Sequence, residues 1–149
     1  MKKNIGFIGC GKMASAIISG VKNSSIGSDF YITGSEITED VASAASERLG
    51  INVLSANKEL VRGKDIVFIA TKPNSVVEVL EDIKNELPPE TLVVSIAAGV
   101  STEKISKVIP NNRIIRIMPN TPALVKLGMF GVCKGPNATD DDLNLIFYR

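Results

Sequence analysis

Short apolar runs punctuate the chain at residues 5–8, 30–32, 66–69, 92–96 and 114–118, with a weaker one at 52–54. Their apolar residues are consecutive rather than alternating, the pattern of strands covered on both faces in a parallel sheet. Amphipathic segments lie between them. Ala14, Ile17, Ile18 and Val21 follow the i, i+3, i+4, i+7 rule of one helix face. Val41, Ala45 and Leu49 predict a second helix, with Thr38 as N-cap ahead of Glu39 and Asp40. Val76, Leu80, Ile83 and Leu87 predict a third, stopped by Pro88-Pro89, and Ile105, Val108 and Ile109 a short fourth before Pro110. Repeated strand–helix–strand units predict an α/β domain, a doubly wound and mostly parallel sheet with helices on both faces.

The pattern changes after residue 118. Residues 119–137 are rich in proline and glycine and read mostly as loop, with a short strand at 129–133. Thr139-Asp140-Asp141-Asp142 then has the form of a capping box that opens a further helix, which reaches only Arg149. The expected organisation is a nucleotide-binding domain over residues 1–138, followed at 139–149 by the start of a helix leading to a C-terminal helical domain that this chain lacks.

Composition narrows the chemistry. With 149 residues, 44% of them hydrophobic and 22% charged, the chain suits one ordinary globular domain. A net charge of +1 gives no field that points to nucleic acid or to a membrane surface, so neither partner is expected. No apolar run approaches the ~18 residues of a membrane span. The opening Met-Lys-Lys is too brief for a secretory n-region, because Gly6, Gly9 and Gly11 interrupt the apolar stretch behind it. Cys10 and Cys133 do not make a disulfide framework, and a reduced, cytoplasmic setting is expected. The chain has no histidine, which removes imidazole acid–base chemistry, Ser-His-Asp triads and most zinc sites; no metal is expected.

One short segment carries the most chemistry. Gly9-Cys10-Gly11-Lys12-Met13-Ala14 is a G-x-G-x-x-A sequence between the first predicted strand and the first predicted helix. That context makes a dinucleotide-binding turn, as in a Rossmann-like fold. The first glycine permits the tight turn, the second lets a pyrophosphate approach the backbone, and Ala14 must be small where helix and strand pack. Free N–H groups and the positive end of the helix dipole would then attract the phosphates. The competing reading is a tight strand–helix turn with no ligand. Cys10 reads as a small filler rather than a reactive thiol, and Met13 as packing whose backbone lines the site.

The choice of dinucleotide turns on the end of the second strand, where an acid about 20 residues past the glycines would hold the ribose 2′-OH of NAD. Gly34 stands at the expected position. Ser35 could donate to a 2′-phosphate, which leans toward NADP, with NAD also admitted; Glu36 would repel a phosphate, and if it faces the ribose the balance moves to NAD. For both residues a solvated turn is the alternative.

Three further segments follow strands at their carboxyl ends, where open α/β sheets bind ligands: Ala70-Thr71-Lys72-Pro73, Ala97-Ala98-Gly99-Val100-Ser101 and Met118-Pro119-Asn120-Thr121-Pro122. Together with the glycine segment, "SIAAGVS" and "RIMPNTPA" resemble the N-terminal half of the pyrroline-5-carboxylate reductase family over essentially the whole chain. The resemblance implies NAD(P)H-dependent reduction of the cyclic imine Δ1-pyrroline-5-carboxylate to L-proline, a step of amino-acid biosynthesis. It implies pyrophosphate contacts at Gly9, Cys10, Gly11, Lys12 and Met13, adenosine-side contacts at Ser35 and Asn57, and a nicotinamide half lined by Ala70, Thr71, Lys72, Pro73, Ile96, Ala97 and Ala98, with Asn120 near the reacting ring. It also implies a small-molecule substrate and a homo-oligomer formed through the absent helical domain.

Some residues have plainer readings: Lys72 as a solvated turn lysine, Pro73 as a helix opener, Asn120 as turn chemistry. The segment Val125-Lys126-Leu127-Gly128 and Phe130 depart from the family pattern. No catalytic acid is assigned, because a protonated imine is already electrophilic and the family's donors come mainly from the helical domain. Two alternatives remain: the isolated chain as a non-catalytic dinucleotide-binding module, and another dehydrogenase of the β-hydroxyacid type, such as a 6-phosphogluconate or 3-hydroxyisobutyrate relative, where "MPNTP" is not expected.

Overall fold

The computed structural model describes residues 3–23, 29–97, 99–118, 131–135 and 137–142. Among the described residues seven strands form one sheet: β1 (Lys3–Ile8), β2 (Phe30–Ser35), β3 (Asn52–Leu54), β4 (Ile66–Ile69), β5 (Leu92–Ser95), β6 (Arg113–Met118) and β7 (Gly131–Lys134). The spatial order is β3-β2-β1-β4-β5-β6-β7; β7 runs antiparallel to β6 and every other pairing is parallel. The chain winds outward from β1 to β3, then returns to β4 on the other side of β1. This is the doubly wound arrangement, with its crevice above β1 and β4 at the point where the winding reverses.

The apolar runs became strands because both faces of the sheet are covered. Ile5, Phe7, Ile66, Phe68, Val94, Ile115 and Ile117 pack on one face with Ala14, Ile17 and Ile18 of α1 (Lys12–Lys22) and Ala45 and Leu49 of α2 (Glu39–Leu49). Ile8, Val67, Ile69, Val93 and Ile114 pack on the other with Leu60 and Val61 of α3 (Asn57–Val61), Val76, Leu80 and Ile83 of α4 (Val76–Ile83), and Ile105 of α5 (Thr102–Val108). The rings of Phe7 and Phe68 stack across β1 and β4, 4.5 Å between centroids and 9° from parallel.

Two expectations need correction. The buried face of α2 is Ala42, Ala45 and Leu49, whereas Val41 is 48% exposed. Ala42, one position further along the helix, turns inward in its place, and Val41 turns outward. The short helix α3 was not expected; Leu60 and Val61 alone give it no readable period, yet both are fully buried.

Other local signals behave as their chemistry requires. The Thr38 hydroxyl accepts from Val41 N–H at 3.3 Å, and Glu39 and Asp40 occupy the first turn of α2. Pro73 opens a single 3₁₀ turn, Pro73–Ser75, directly before α4. Thr139 and Asp142 form the capping box: Asp142 N–H donates to Thr139 Oγ1 at 3.1 Å, and Thr139 N–H donates to Asp142 Oδ2 at 3.0 Å. The Arg113 guanidinium of β6 donates to the same carboxylate and ties this helix start to the sheet. Of the strand expected at 129–133, residues 131–133 belong to β7 (Gly131–Lys134), and 129–130 lie outside the described residues. The described residues contain no helix long and apolar enough to cross a membrane.

Candidate functional site

The crevice between β1 and β4 is built by the glycine segment. Gly9 has φ +92°, and a Cβ there would stand 2.8 Å from the carbonyl oxygen of Ala70, so only glycine lets the β1 turn pass the end of β4. Its N–H donates to Ser35 O at 3.0 Å, and Ala70 N–H donates to Ile8 O at 2.8 Å. The turn is thereby held to both neighbouring strands.

Gly11 is glycine for a different reason. It is the N-cap of α1 with φ −74°, a value open to any residue, and a Cβ there would meet no atom within 4 Å. The space beside it is open, and no side chain caps the helix start. The first backbone bond of α1 runs from Ser15 N–H to Gly11 O at 2.8 Å, so the N–H groups of residues 11–14 have no intrahelical acceptor. No acidic residue lies in that first turn. Ala14, the third small position, is buried against the core of the α1 face. Small residues at three positions thus answer three separate requirements: backbone clearance, open space and helix–sheet contact.

Cys10 points the other way, into the protein. Its thiol lies 3.8 Å from Ser35 O and is 1% exposed. Burial, reinforced by the Glu36 carboxylate, pushes it up to about 11 from its ordinary 9.0, against the pull of Arg48 and of the Ser35 carbonyl. Such a thiol stays protonated and unreactive at neutral pH; Cys10 is a packing residue. It also explains Gly34: a Cβ on Gly34 would stand 2.6 Å from Cys10 Sγ. The position expected for a ribose-binding acid therefore carries no side chain, because the sulfur fills its place.

The backbone of Cys10 is held from two sides. Its N–H donates to Glu36 Oε2 at 2.8 Å, and its carbonyl accepts from Arg48 Nη2 at 3.0 Å and from Ser15 Oγ at 3.2 Å. Glu36 is thus not a solvated turn residue. Nor is Ser35, which is fully buried and donates its hydroxyl to Asn57 Oδ1 at 2.6 Å. The structure brings these two expected adenosine-side residues together, but as partners of each other. The hydroxyl is spent on Asn57 and is not the free phosphate donor that the sequence suggested.

On the far side of the crevice, Ala70 and Thr71 are half-buried, while Lys72 and Pro73 are exposed. Thr71 Oγ1 is buried with no hydrogen-bond partner among the described residues. Ile96 and Ala97 are buried; Ile96 N–H donates to Ile69 O at 3.1 Å and Ala97 N–H to Ser95 Oγ at 3.3 Å. Ala98 and Asn120 lie outside the described residues, as do residues 121–130. The Glu36 and Arg48 contacts escape sequence reasoning, since they join residues 26 and 38 positions apart.

A family model described as NADP oxidoreductase, coenzyme F420-dependent, matches residues 4–99, from the first strand through the glycine segment to the end of "SIAAG". The chain belongs to this family. Within these NADP oxidoreductases its similarity is to pyrroline-5-carboxylate reductases. The Escherichia coli pyrroline-5-carboxylate reductase is 40% identical over 143 residues, covering 95% of this chain and 53% of that protein. The structure of a pyrroline-5-carboxylate reductase from Coxiella burnetii matches with a TM-score of 0.84 at 32% identity, over 97% of this chain and 54% of the other. That of the Plasmodium falciparum enzyme, solved with NADP bound, matches with a TM-score of 0.79 at 31% identity, over 97% and 54%. The chain spans about half the length of the curated relatives it matches.

Proposed function

We propose that this chain is the coenzyme-binding part of a pyrroline-5-carboxylate reductase and that it takes NADPH by preference, with NADH accepted. The observation that carries the reading is the uncapped start of α1 beside Gly11, where a Cβ would project into open space. A diphosphate needs that combination of unclaimed N–H groups, helix dipole and backbone clearance. The residues present fit the group: the amides of residues 11–14 would hold the pyrophosphate, and the ends of β4 and β5, at Ala70–Pro73 and Ile96–Ala98, would flank the nicotinamide. The coenzyme named for the Plasmodium relative and for the family model supports NADP.

A bound reduced nicotinamide supplies hydride for the imine carbon of Δ1-pyrroline-5-carboxylate. The chain's own part is to orient the ring with backbone groups and small side chains. Asn120 is assigned to the reacting end by resemblance. The remaining half of such a protein would supply the substrate pocket and the homo-oligomer contact, with the boundary near residue 138 and a cytoplasmic setting as part of the same proposal.

The test uses the chain alone and the chain joined to the C-terminal half of the Escherichia coli relative. Titration by nicotinamide fluorescence should show that the chain alone binds NADPH and NADH. Reduction of the imine should appear only in the joined protein. Failure of both coenzymes to bind would overturn the proposal, and strong turnover by the chain alone would overturn its division of labour.

A further inference from the structure

We infer that Arg48, near the C-terminal end of α2, is a positioning residue for the coenzyme: through the Cys10 carbonyl it aims the Gly11 amide that receives the diphosphate. The inference rests on the coenzyme reading above. Arg48 stands in the last turn of α2, where a cation ordinarily serves the negative end of its own helix dipole. Its guanidinium reaches to another element instead. Nη2 donates to Cys10 O at 3.0 Å, and Ser15 Oγ of α1 donates to the same oxygen at 3.2 Å. The ion pairs among the described residues do not include Arg48, so its charge is directed at a neutral carbonyl.

The carbonyl and amide of one trans peptide unit are coplanar and point in opposite directions. The peptide joining Cys10 to Gly11 is trans. Two donors that hold the Cys10 oxygen toward α1 and α2 therefore point Gly11 N–H away from them, and that N–H is the first of the amides with no intrahelical acceptor. The same bonds strengthen it. A charged donor on the oxygen draws electron density through the peptide and leaves its N–H a better donor. The peptide before it is held as well, by Cys10 N–H donating to Glu36 Oε2 at 2.8 Å. Residue 10 lies between Gly9 and Gly11, whose backbones have the widest choice of conformation, so the hold must come from outside the segment. A turn fixed in this way before the coenzyme arrives loses less freedom on binding it.

Arg48→Met keeps the apolar stem and removes the donors, and Arg48→Lys keeps a cation that can donate to the Cys10 oxygen. Arg48 is exposed, so both variants are expected to fold. Dissociation constants for NADPH and NADH are measured by fluorescence titration on the parent and both variants at low and high salt, with thermal melts. The Gly11 amide is followed by NMR without coenzyme. Arg48→Met should weaken NADPH and NADH alike, by about fivefold, because both carry the same diphosphate, and Arg48→Lys should recover most of the loss. The Gly11 nitrogen in free Arg48→Met should move upfield, the mark of a peptide whose carbonyl has lost a donor. Binding of both coenzymes by Arg48→Met within about twofold of the parent overturns this inference alone and leaves Arg48 to its helix end. A loss confined to NADPH overturns it too, by assigning Arg48 to the extra phosphate. So does a loss that vanishes at high salt with the Gly11 nitrogen unmoved, which makes Arg48 a distant charge. If Arg48→Met does not fold, the uncharged Arg48→Gln is read by the same criteria. No binding of either coenzyme to the parent chain overturns the coenzyme reading, and this inference with it.

Discussion

Gly11→Val lowers the affinity of the chain for both NADPH and NADH by more than about tenfold, ~1.4 kcal/mol, while leaving the fold intact. The two halves of this expectation have separate causes. Gly11 has φ −74°, so a branched side chain introduces no backbone strain, and its Cβ would meet no atom within 4 Å. It caps α1, where valine is a poorer N-cap than glycine by about 1 kcal/mol. Thermal unfolding should fall by no more than about 4 °C. The isopropyl group would instead occupy the open space over the first-turn amides, which a diphosphate must enter to reach them. Fluorescence titration and a thermal melt on the same sample read both effects. Unchanged affinity would mean that the segment serves only as a turn.

Gly34→Ala has the opposite character, a loss of stability at a position that presents no side chain to a ligand. The added methyl would stand 2.6 Å from Cys10 Sγ, and the thiol is too deeply buried to swing into solvent. Overpacking of this kind costs about 1–3 kcal/mol. Cys10→Ala removes the sulfur and leaves a small void, at a cost of about 1 kcal/mol. Combined, the two changes should relieve each other, because the methyl on residue 34 takes the space that the sulfur vacates. The double variant is expected to be about 1–2 kcal/mol more stable than the sum of the single losses, measured by urea unfolding. Additivity within about 0.5 kcal/mol would show that the sulfur does not dictate glycine at residue 34.

What could be read from the sequence follows from how local each cause is. The strands were legible because burial on both faces makes their residues continuously apolar, and β4 and β3 have the limits that the pattern predicts. The glycine segment was legible because strand, turn and helix are contiguous. The Thr139–Asp142 capping box spans three residues and was equally readable. The errors fall where tertiary contact decides. Valine outranks alanine in hydrophobicity, so the pattern chose Val41 for the α2 face, but in the fold Ala42 turns inward and Val41 outward. Helix α3 is too short to show a period. The electrostatics of the turn come from Glu36, Arg48 and the Ser35–Asn57 pair, each brought in by the fold from more than 20 residues away. Their identities were visible, but their partners were not.

The central claim is that the first turn of α1 receives the diphosphate. Amide-resolved NMR of the isotopically labelled chain during titration with NADPH tests it directly. The account predicts that the amides of Gly11, Lys12, Met13 and Ala14 shift most and that Gly11→Val abolishes those shifts. Saturable binding that leaves these four amides unmoved while others respond would contradict it.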